Sequence, residues 1–328
     1  MNNLLQRLRI DPFTLALLAT VLLASLLPVS GSAATVMDVV TDVAIAALFF
    51  LHGARLSREA VKAGMLHWRL HLTILACTFV LFPLLGLLFK PLAHALLTPQ
   101  LFVGLLFLCA LPSTVQSSIA FTSMAGGNVP AAVCAASLSS LLGVFLTPLL
   151  MGLLVGTQGA MADPWTAIGK ILLQLLVPFL AGHFLRPWIG AWVERHRPVL
   201  RWTDQGTILL VVYTAFSASV IEGLWRDTPL PALLGVAVAA AVLLALAMGL
   251  ITFIARRLGF NRADEIAIVF CGSKKSLATG VPMAKVMFAG GSLGAIVLPI
   301  MLYHQIQLIV CAFVAQRYAR AGQAQEGR

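Results

Sequence analysis

Charged residues are scarce in this chain. Only 10% of its 328 residues are Asp, Glu, Lys or Arg, whereas 60% are hydrophobic. A soluble globular protein carries about 25% charged and about 45–50% apolar residues. A soluble domain with so few charges could not cover its own core with polar surface, so the composition excludes a cytosolic enzyme.

Acidic side chains are the rarer charged type, with 12 Asp and Glu against 22 Lys and Arg. In a soluble protein a formal net charge of +10 would suggest a nucleic-acid partner. Here the basic residues lie in short loops between apolar blocks, so they are better explained as a membrane topology signal. No nucleic-acid partner is expected.

Paired cysteines are absent from the sequence. All five cysteines lie inside apolar blocks, and none belongs to a CxxC motif. This arrangement implies neither a disulfide framework nor a zinc site. No cofactor is expected, and the only ion left open is a coupling ion such as sodium.

The apolar residues form ten blocks, each long enough to cross about 30 Å of hydrocarbon as a helix. Of the 22 basic residues, 16 fall at the two ends of the chain or after the second, sixth and eighth blocks. Because cytoplasmic loops are enriched in Lys and Arg, this pattern places both termini in the cytoplasm. The sequence predicts an all-α integral membrane protein, surrounded by lipid, with transmembrane helices near 12–30, 37–54, 68–89, 100–125, 129–155, 163–185, 202–222, 229–255, 263–288 and 291–318.

The ten predicted spans divide into two sets of five, in residues 1–160 and 161–328. Because five is odd, the second set enters the membrane from the opposite side, which gives two inverted five-helix repeats. The fourth and ninth blocks carry matching interruptions. Pro112 is followed by a polar run over 113–118, and Gly272 is followed by the polar run 273–276.

Paired interruptions at matching positions predict a transport site. The ends of half-helices expose N–H and C=O groups that can bind ions or an anionic substrate. Kinks that serve only helix packing are the alternative. The candidate binding residues are the polar side chains of both interruptions and one histidine of the tenth span: Ser113, Thr114, Gln116, Ser117, Ser118, Ser273, Lys274, Lys275, Ser276 and His304.

Two adjacent lysines, Lys274 and Lys275, lie in the middle of the ninth block. A lysine at the bilayer centre costs about 2.5–3.5 kcal/mol on insertion scales, which favours a function over snorkelling to the headgroups. Because successive helical residues point about 100° apart, we expect one lysine to face the cavity and the other to find a polar partner. Each could bind an anionic group, replace a bound cation or release a proton.

The interrupted blocks also carry a resemblance to a known family. The chain resembles the bile acid:sodium symporter superfamily (solute carrier family ten), above all its divergent branch with bacterial homologues and the seventh human member. The stretches that match are Phe49 to Leu56, Pro112 to Ser118, Gly126 to Asn128, Thr147 to Leu150, Lys275 to Leu277, Gly280 to Met283, and Tyr303-His304.

The resemblance implies a panel domain of helices 1, 2, 6 and 7 and a core domain of helices 3–5 and 8–10. Helices 4 and 9 are expected to cross at their unwound centres. It further implies secondary transport of an organic anion by alternating access, in a bacterial inner membrane.

The chain departs from the sodium-coupled members of that superfamily at the ion site. Where those members carry a Glu and a Gln at the ninth-span break, this sequence has Phe270 and Lys274, and hydroxyl positions of the fifth span are Ala132 and Ala136. An ammonium group repels a cation in a poorly screened site. The departure argues against sodium coupling and bile-acid transport, and it leaves proton coupling or no coupling open. We hypothesise that a lysine replaces the missing ion and holds the crossing together.

The sequence therefore predicts a secondary membrane transporter of a small organic anion and not an enzyme. Two other functions compete with it. An intramembrane hydrolase could use a serine with His304, although the chain lacks a GxSxG motif, paired catalytic carboxylates and an HExxH helix. A regulatory membrane protein could keep the same fold and transport nothing.

Overall fold

The computed structural model describes residues 12–55, 67–91, 97–155, 172–288 and 293–326, and within these ranges the regular structure is helical. The helices are α1 Pro12–Leu26, α2 Gly31–Arg55, α3 Trp68–Leu88, α4 Pro99–Ala110, α5 Gln116–Met124, α6 Val129–Val155, α7 Leu172–Leu176 continued by Val177–Arg195, α8 Arg197–Ile221, α9 Leu230–Arg257, α10 Arg262–Ser273, α11 Leu277–Met287 and α12 Leu293–Glu326, with one further short helix, Leu224–Asp227, between α8 and α9. Helix α3 has a π-helical middle, Cys77–Leu81, and α7 begins with the π-helical turn Leu172–Leu176.

Six helices in the described ranges are long and apolar enough to cross a membrane. They lie in α2, α3, α6, α8, α9 and α12. The predicted fourth and ninth spans are each divided into two shorter helices, α4 with α5 and α10 with α11. Residues 163–171 of the predicted sixth span lie outside the described residues. The all-α prediction is confirmed, while the ten-span count, the inverted repeats and the panel and core domains stay predictions.

One compact unit comprises Met1–Arg55, Ala160–Pro229 and Val281–Val297. Within it, α2 and α7 approach so closely that their backbones touch. A Cβ atom added to Gly53 would overlap the carbonyl oxygen of Phe179, and one added to Gly182 would overlap that of Phe50. Lipid supplies no hydrophobic force between membrane helices, so their association depends on close packing. Small residues at such contacts allow the backbones to approach closely.

The other compact unit comprises Leu56–Gly159, Leu230–Gly280 and Leu298–Arg328. This unit contains the first interruption and the part of the second that extends to Gly280. The start of α10 is fixed by a buried polar network, in which Asp264 accepts a hydrogen bond from Asn128 at 2.7 Å. Glu265 pairs with Arg256 at 3.0 Å and accepts a hydrogen bond from the Tyr318 hydroxyl at 2.8 Å. These contacts hold α10 against α6, α9 and α12.

Candidate functional site

The first interruption is produced by the local sequence around Pro112. Helix α4 ends at Ala110, and Leu111 adopts an extended conformation with φ −70° and ψ 151°. A residue before proline is pushed out of the helical region, and proline itself has no N–H to donate. The Pro112 ring packs where a Cβ atom on Gly143 of α6 would lie, so a small residue on α6 accommodates the break.

Three predicted hydroxyl residues come together just after this break. The Thr114 hydroxyl lies 2.8 Å from that of Ser117 and 2.9 Å from that of Ser118. Ser118 also donates to the backbone carbonyl of Phe270 on α10 at 3.3 Å. The cluster therefore connects the first interrupted segment with the second.

Ser113 lies at the edge of this cluster, with its hydroxyl 3.4 Å from that of Ser118, whereas Gln116 lies outside it. Ser113 is fully buried, and its backbone N–H donates to the Ser139 hydroxyl of α6 at 3.0 Å. Gln116 is the first residue of α5, and its side chain is exposed. Gln116 does not share in the hydroxyl cluster.

The second interruption is held by side chains from α12 and not by a proline. Helix α10 ends at Ser273, and Lys274 is extended with φ −92° and ψ 148°. The Tyr303 hydroxyl donates to the carbonyl of Ser273 at 2.7 Å. The Gln307 amide accepts from the backbone N–H of Lys275 and donates to its carbonyl, both at 3.0 Å. These contacts satisfy backbone groups that a continuous helix would have paired internally.

Ser276 joins the two interruptions directly. Its backbone N–H donates to the carbonyl of Pro112 at 3.0 Å. Its hydroxyl accepts from the backbone N–H of Thr279 at 3.2 Å, the pattern of a helix N-cap at the start of α11. The backbones of the two breaks are thus in contact.

Lys275 is fully buried and bound by backbone oxygens from two other elements. Its Nζ donates to the carbonyls of Thr78, Cys109 and Leu111 at 2.8, 3.0 and 2.8 Å. It also lies 4.1 Å from the centre of the Phe82 ring. Every N–H of the ammonium therefore has a carbonyl acceptor.

Lys274 is equally buried, but its ammonium has a different environment. Among the described residues its Nζ has no hydrogen-bond acceptor. It lies 4.0 Å from the centre of the Phe121 ring on α5, which is a cation–π contact. A buried charge normally requires a counter-charge or several hydrogen bonds, and among the described residues Lys274 has neither.

His304 of α12 is half-buried beside the second interruption. Its Nδ1 accepts a hydrogen bond at 2.9 Å from the same Gln307 amide that holds Lys275. Ser273 uses its hydroxyl within α10, donating to the carbonyl of Val269 at 2.6 Å.

Several interacting residues were missed from the sequence. Gln307, Tyr303 and Phe121 were not predicted to take part. Gln307 gave a signal as a polar residue within an apolar block, and Tyr303 as part of a stretch that matches the family. Lys285 bridges Asp38 and Asp42 of α2, with its Nζ 3.1 Å from an oxygen of each. The spacing of those two carboxylates by one helical turn was visible in the sequence, but their partner was not.

Comparison with known proteins assigns the chain to a family. A model of the SBF-like CPA transporter family matches residues 11–320. "Uncharacterized protein PA2026" of Pseudomonas aeruginosa is 69% identical over 310 residues, which cover 94% of this chain and 93% of that protein. "Putative symporter YfeH" of Escherichia coli is 56% identical over 311 residues, 95% and 93% of the two chains. "Sodium/bile acid cotransporter 7-B" of Xenopus laevis is 31% identical over 318 residues, 94% and 91% of the two chains.

Proposed function

Because the chain belongs to the SBF-like CPA transporter family, it is a multi-pass secondary membrane transporter, and we propose that it carries a small organic anion without sodium. The proposal places the transporter in a bacterial inner membrane with both termini in the cytoplasm. The anion binds at the two interruptions and crosses by alternating access. The ten polar residues predicted from the sequence are its candidate binding residues.

The observation that carries the proposal is the unpartnered ammonium of Lys274. Insertion of a lysine so deep in the protein costs several kcal/mol, and no carboxylate among the described residues pairs with it. An anionic substrate would supply the missing charge and three acceptor positions. The hydroxyls of Thr114 and Ser117 could rotate and donate to the anion in place of their mutual hydrogen bond. In the present conformation the ammonium is closed off from solvent, so the anion would reach it in another state of the transport cycle.

Two positive charges at the interruptions argue against sodium coupling. Lys274 and Lys275 are both fully buried there, and each repels a cation brought nearby. Positions 132 and 136 on α6 are alanines, which offer no side-chain oxygen to an ion. A hard cation such as sodium would therefore meet too few side-chain oxygen ligands and two like charges.

An anion screen on the purified protein tests the substrate class. Mono-, di- and tricarboxylates, sulfonates and phosphate esters are added singly, and the apparent Tm is measured. We expect at least one anion to raise the Tm in a saturable manner. At a concentration of about 100 times its Kd, a bound anion stabilises the folded protein by about 2.7 kcal/mol. The Lys274→Met variant is expected to lose this response, because methionine has no charge to attract the anion. Methionine has a volume similar to that of lysine, so the packing around position 274 should be kept.

The matched control for that screen is Lys285→Met, which removes a lysine already paired with two carboxylates. It should keep the anion response of the native protein. A response that survives in Lys274→Met would contradict the assigned role of Lys274. A panel in which no anion stabilises the native protein would favour the non-transporting regulatory alternative.

A salt titration tests sodium coupling separately. Sodium chloride and potassium chloride are compared at equal ionic strength, with the apparent Tm as readout. We expect the two curves to coincide, because Lys274 and Lys275 exclude a bound alkali ion. Saturable stabilisation by sodium alone in the millimolar range would refute sodium independence. The assignment of an anionic substrate would then still depend on the anion screen.

A further inference from the structure

We propose that the carbonyl oxygens of Thr78, Cys109 and Leu111 with the Phe82 ring form a receptor for a primary ammonium ion, filled from within by Lys275. We name this set of four groups the carbonyl receptor. The inference goes beyond the proposed function, because it concerns a lysine whose N–H groups all have acceptors within the protein. Its consequence is that removal of the Lys275 side chain makes the protein dependent on an added ammonium compound.

The Thr78 carbonyl is free to bind an ammonium because of the backbone register of α3. In an α-helix it would accept from the N–H of Phe82, but in the π-helical stretch Cys77–Leu81 that N–H bonds the carbonyl of Cys77 instead. The π-register donor for Thr78 would be residue 83, which is a proline without an N–H. The carbonyl therefore has no helical donor and points at Lys275.

The other two carbonyls are free because α4 ends beside them. A continuing helix would pair the Cys109 carbonyl with the N–H of Ser113, but that N–H donates to Ser139. Leu111 lies past the last helical residue, and its N–H turns back to the carbonyl of Leu108. The C-terminus of a helix carries partial negative charge, so an ammonium bound there is stabilised by the helix dipole as well as by hydrogen bonds.

The geometry of the receptor matches an ammonium group and not a small metal ion. The three N···O distances of 2.8, 3.0 and 2.8 Å are those of charge-assisted hydrogen bonds. They are longer than the about 2.0–2.6 Å at which Mg²⁺ and Ca²⁺ bind oxygen. The Phe82 ring at 4.1 Å adds a cation–π contact, which favours an alkylammonium over a hydrated ion.

Chemical rescue of Lys275→Ala tests the receptor. Alanine keeps the Cβ atom, so the missing part of the side chain corresponds to propylammonium. We expect the purified variant to have an apparent Tm roughly 10 °C below that of the native protein. Propylammonium chloride at about 50 mM should restore at least half of this loss in a saturable manner. Tetramethylammonium chloride should restore none, because that cation offers no N–H. Sodium chloride should restore none, because sodium has no alkyl chain to fill the space left by the Lys275 side chain and no N–H to match the N···O distances of the receptor.

The matched control is Lys274→Ala, in which the neighbouring and equally buried ammonium has no carbonyl partner. Its Tm should not respond to propylammonium. Equal rescue in both variants, equal rescue by sodium, or no rescue of Lys275→Ala would overturn the proposal. A Lys275→Met variant as stable as the native protein would overturn it as well, since the carbonyls would then need no cation.

If Lys275→Ala is not recovered in folded form, extraction is repeated with propylammonium present throughout. We then expect monodisperse Lys275→Ala protein only when propylammonium is present. Aggregated protein under both conditions counts against the proposal. The readout is stability and not transport, so failure of the rescue leaves the anion proposal standing, and failure of the anion screen leaves the receptor standing.

Discussion

Replacing Lys274 and Lys275 by methionine is expected to change stability in opposite directions. Lys275→Met leaves the carbonyls of the receptor without donors in a closed interior, and we expect a loss of about 3–5 kcal/mol. Lys274→Met removes a buried charge that has only the Phe121 ring for a partner. Relief of that desolvation outweighs the lost cation–π contact, so we expect a gain of about 1 kcal/mol.

The measurement is the apparent Tm of each purified variant, together with its anion response. We expect Lys274→Met to be the more stable protein and the one that no longer binds the anion. Such a loss of function with a gain in stability is typical of a group kept for binding. Destabilisation by both substitutions to the same degree would show that Lys274 is structural, contrary to the role assigned to it.

Alanine at Gly53 or Gly182 is expected to disrupt the contact between α2 and α7. In each case the added methyl group would overlap a backbone carbonyl oxygen of the opposite helix, which cannot rotate away as a side chain could. The two helices would have to separate, at a cost of about 3 kcal/mol or more for each substitution. The unit that contains these helices should therefore lose most of its stability.

A matched control for this prediction is Gly206→Ala on α8, in the same unit. A Cβ atom there would have nothing within 4 Å. Because alanine is the better helix former, we expect this variant to gain about 0.5–1 kcal/mol. Thermal stability of the three purified variants checks the prediction, and similar Tm values for all three would contradict the close approach of the two helices.

The two interruptions differ in how far the sequence alone could predict their structure. The first contains Pro112, and the physical rules for proline place the break at Leu111. The second has no proline between Arg262 and Val281, so the polar run alone indicated a break there. Its exact position depends on Tyr303 and Gln307, which lie about 30 residues further along the chain. A local pattern cannot show a contact of that kind.

The distinct roles of the two lysines could not be read from the sequence for a similar reason. The two lysines are neighbours in the middle of the same apolar block. The sequence predicts that one faces a cavity and that the other finds a polar partner, but it does not indicate which lysine has which role. The order depends on which side of the break contains free carbonyls. Those carbonyls belong to α3 and α4, whose approach to Lys275 is a property of the folded chain.

The π-helical stretch of α3 links one proline to a lysine that lies 197 residues beyond Thr78 along the chain. The N–H of Phe82 bonds the carbonyl of Cys77, and Pro83 has no N–H to offer in its place, so the Thr78 carbonyl has no helical donor. Any other residue at position 83 would bring an N–H that could bond this oxygen and compete with Lys275, with no change to any lysine. A survey of substitutions confined to the charged residues would overlook this position.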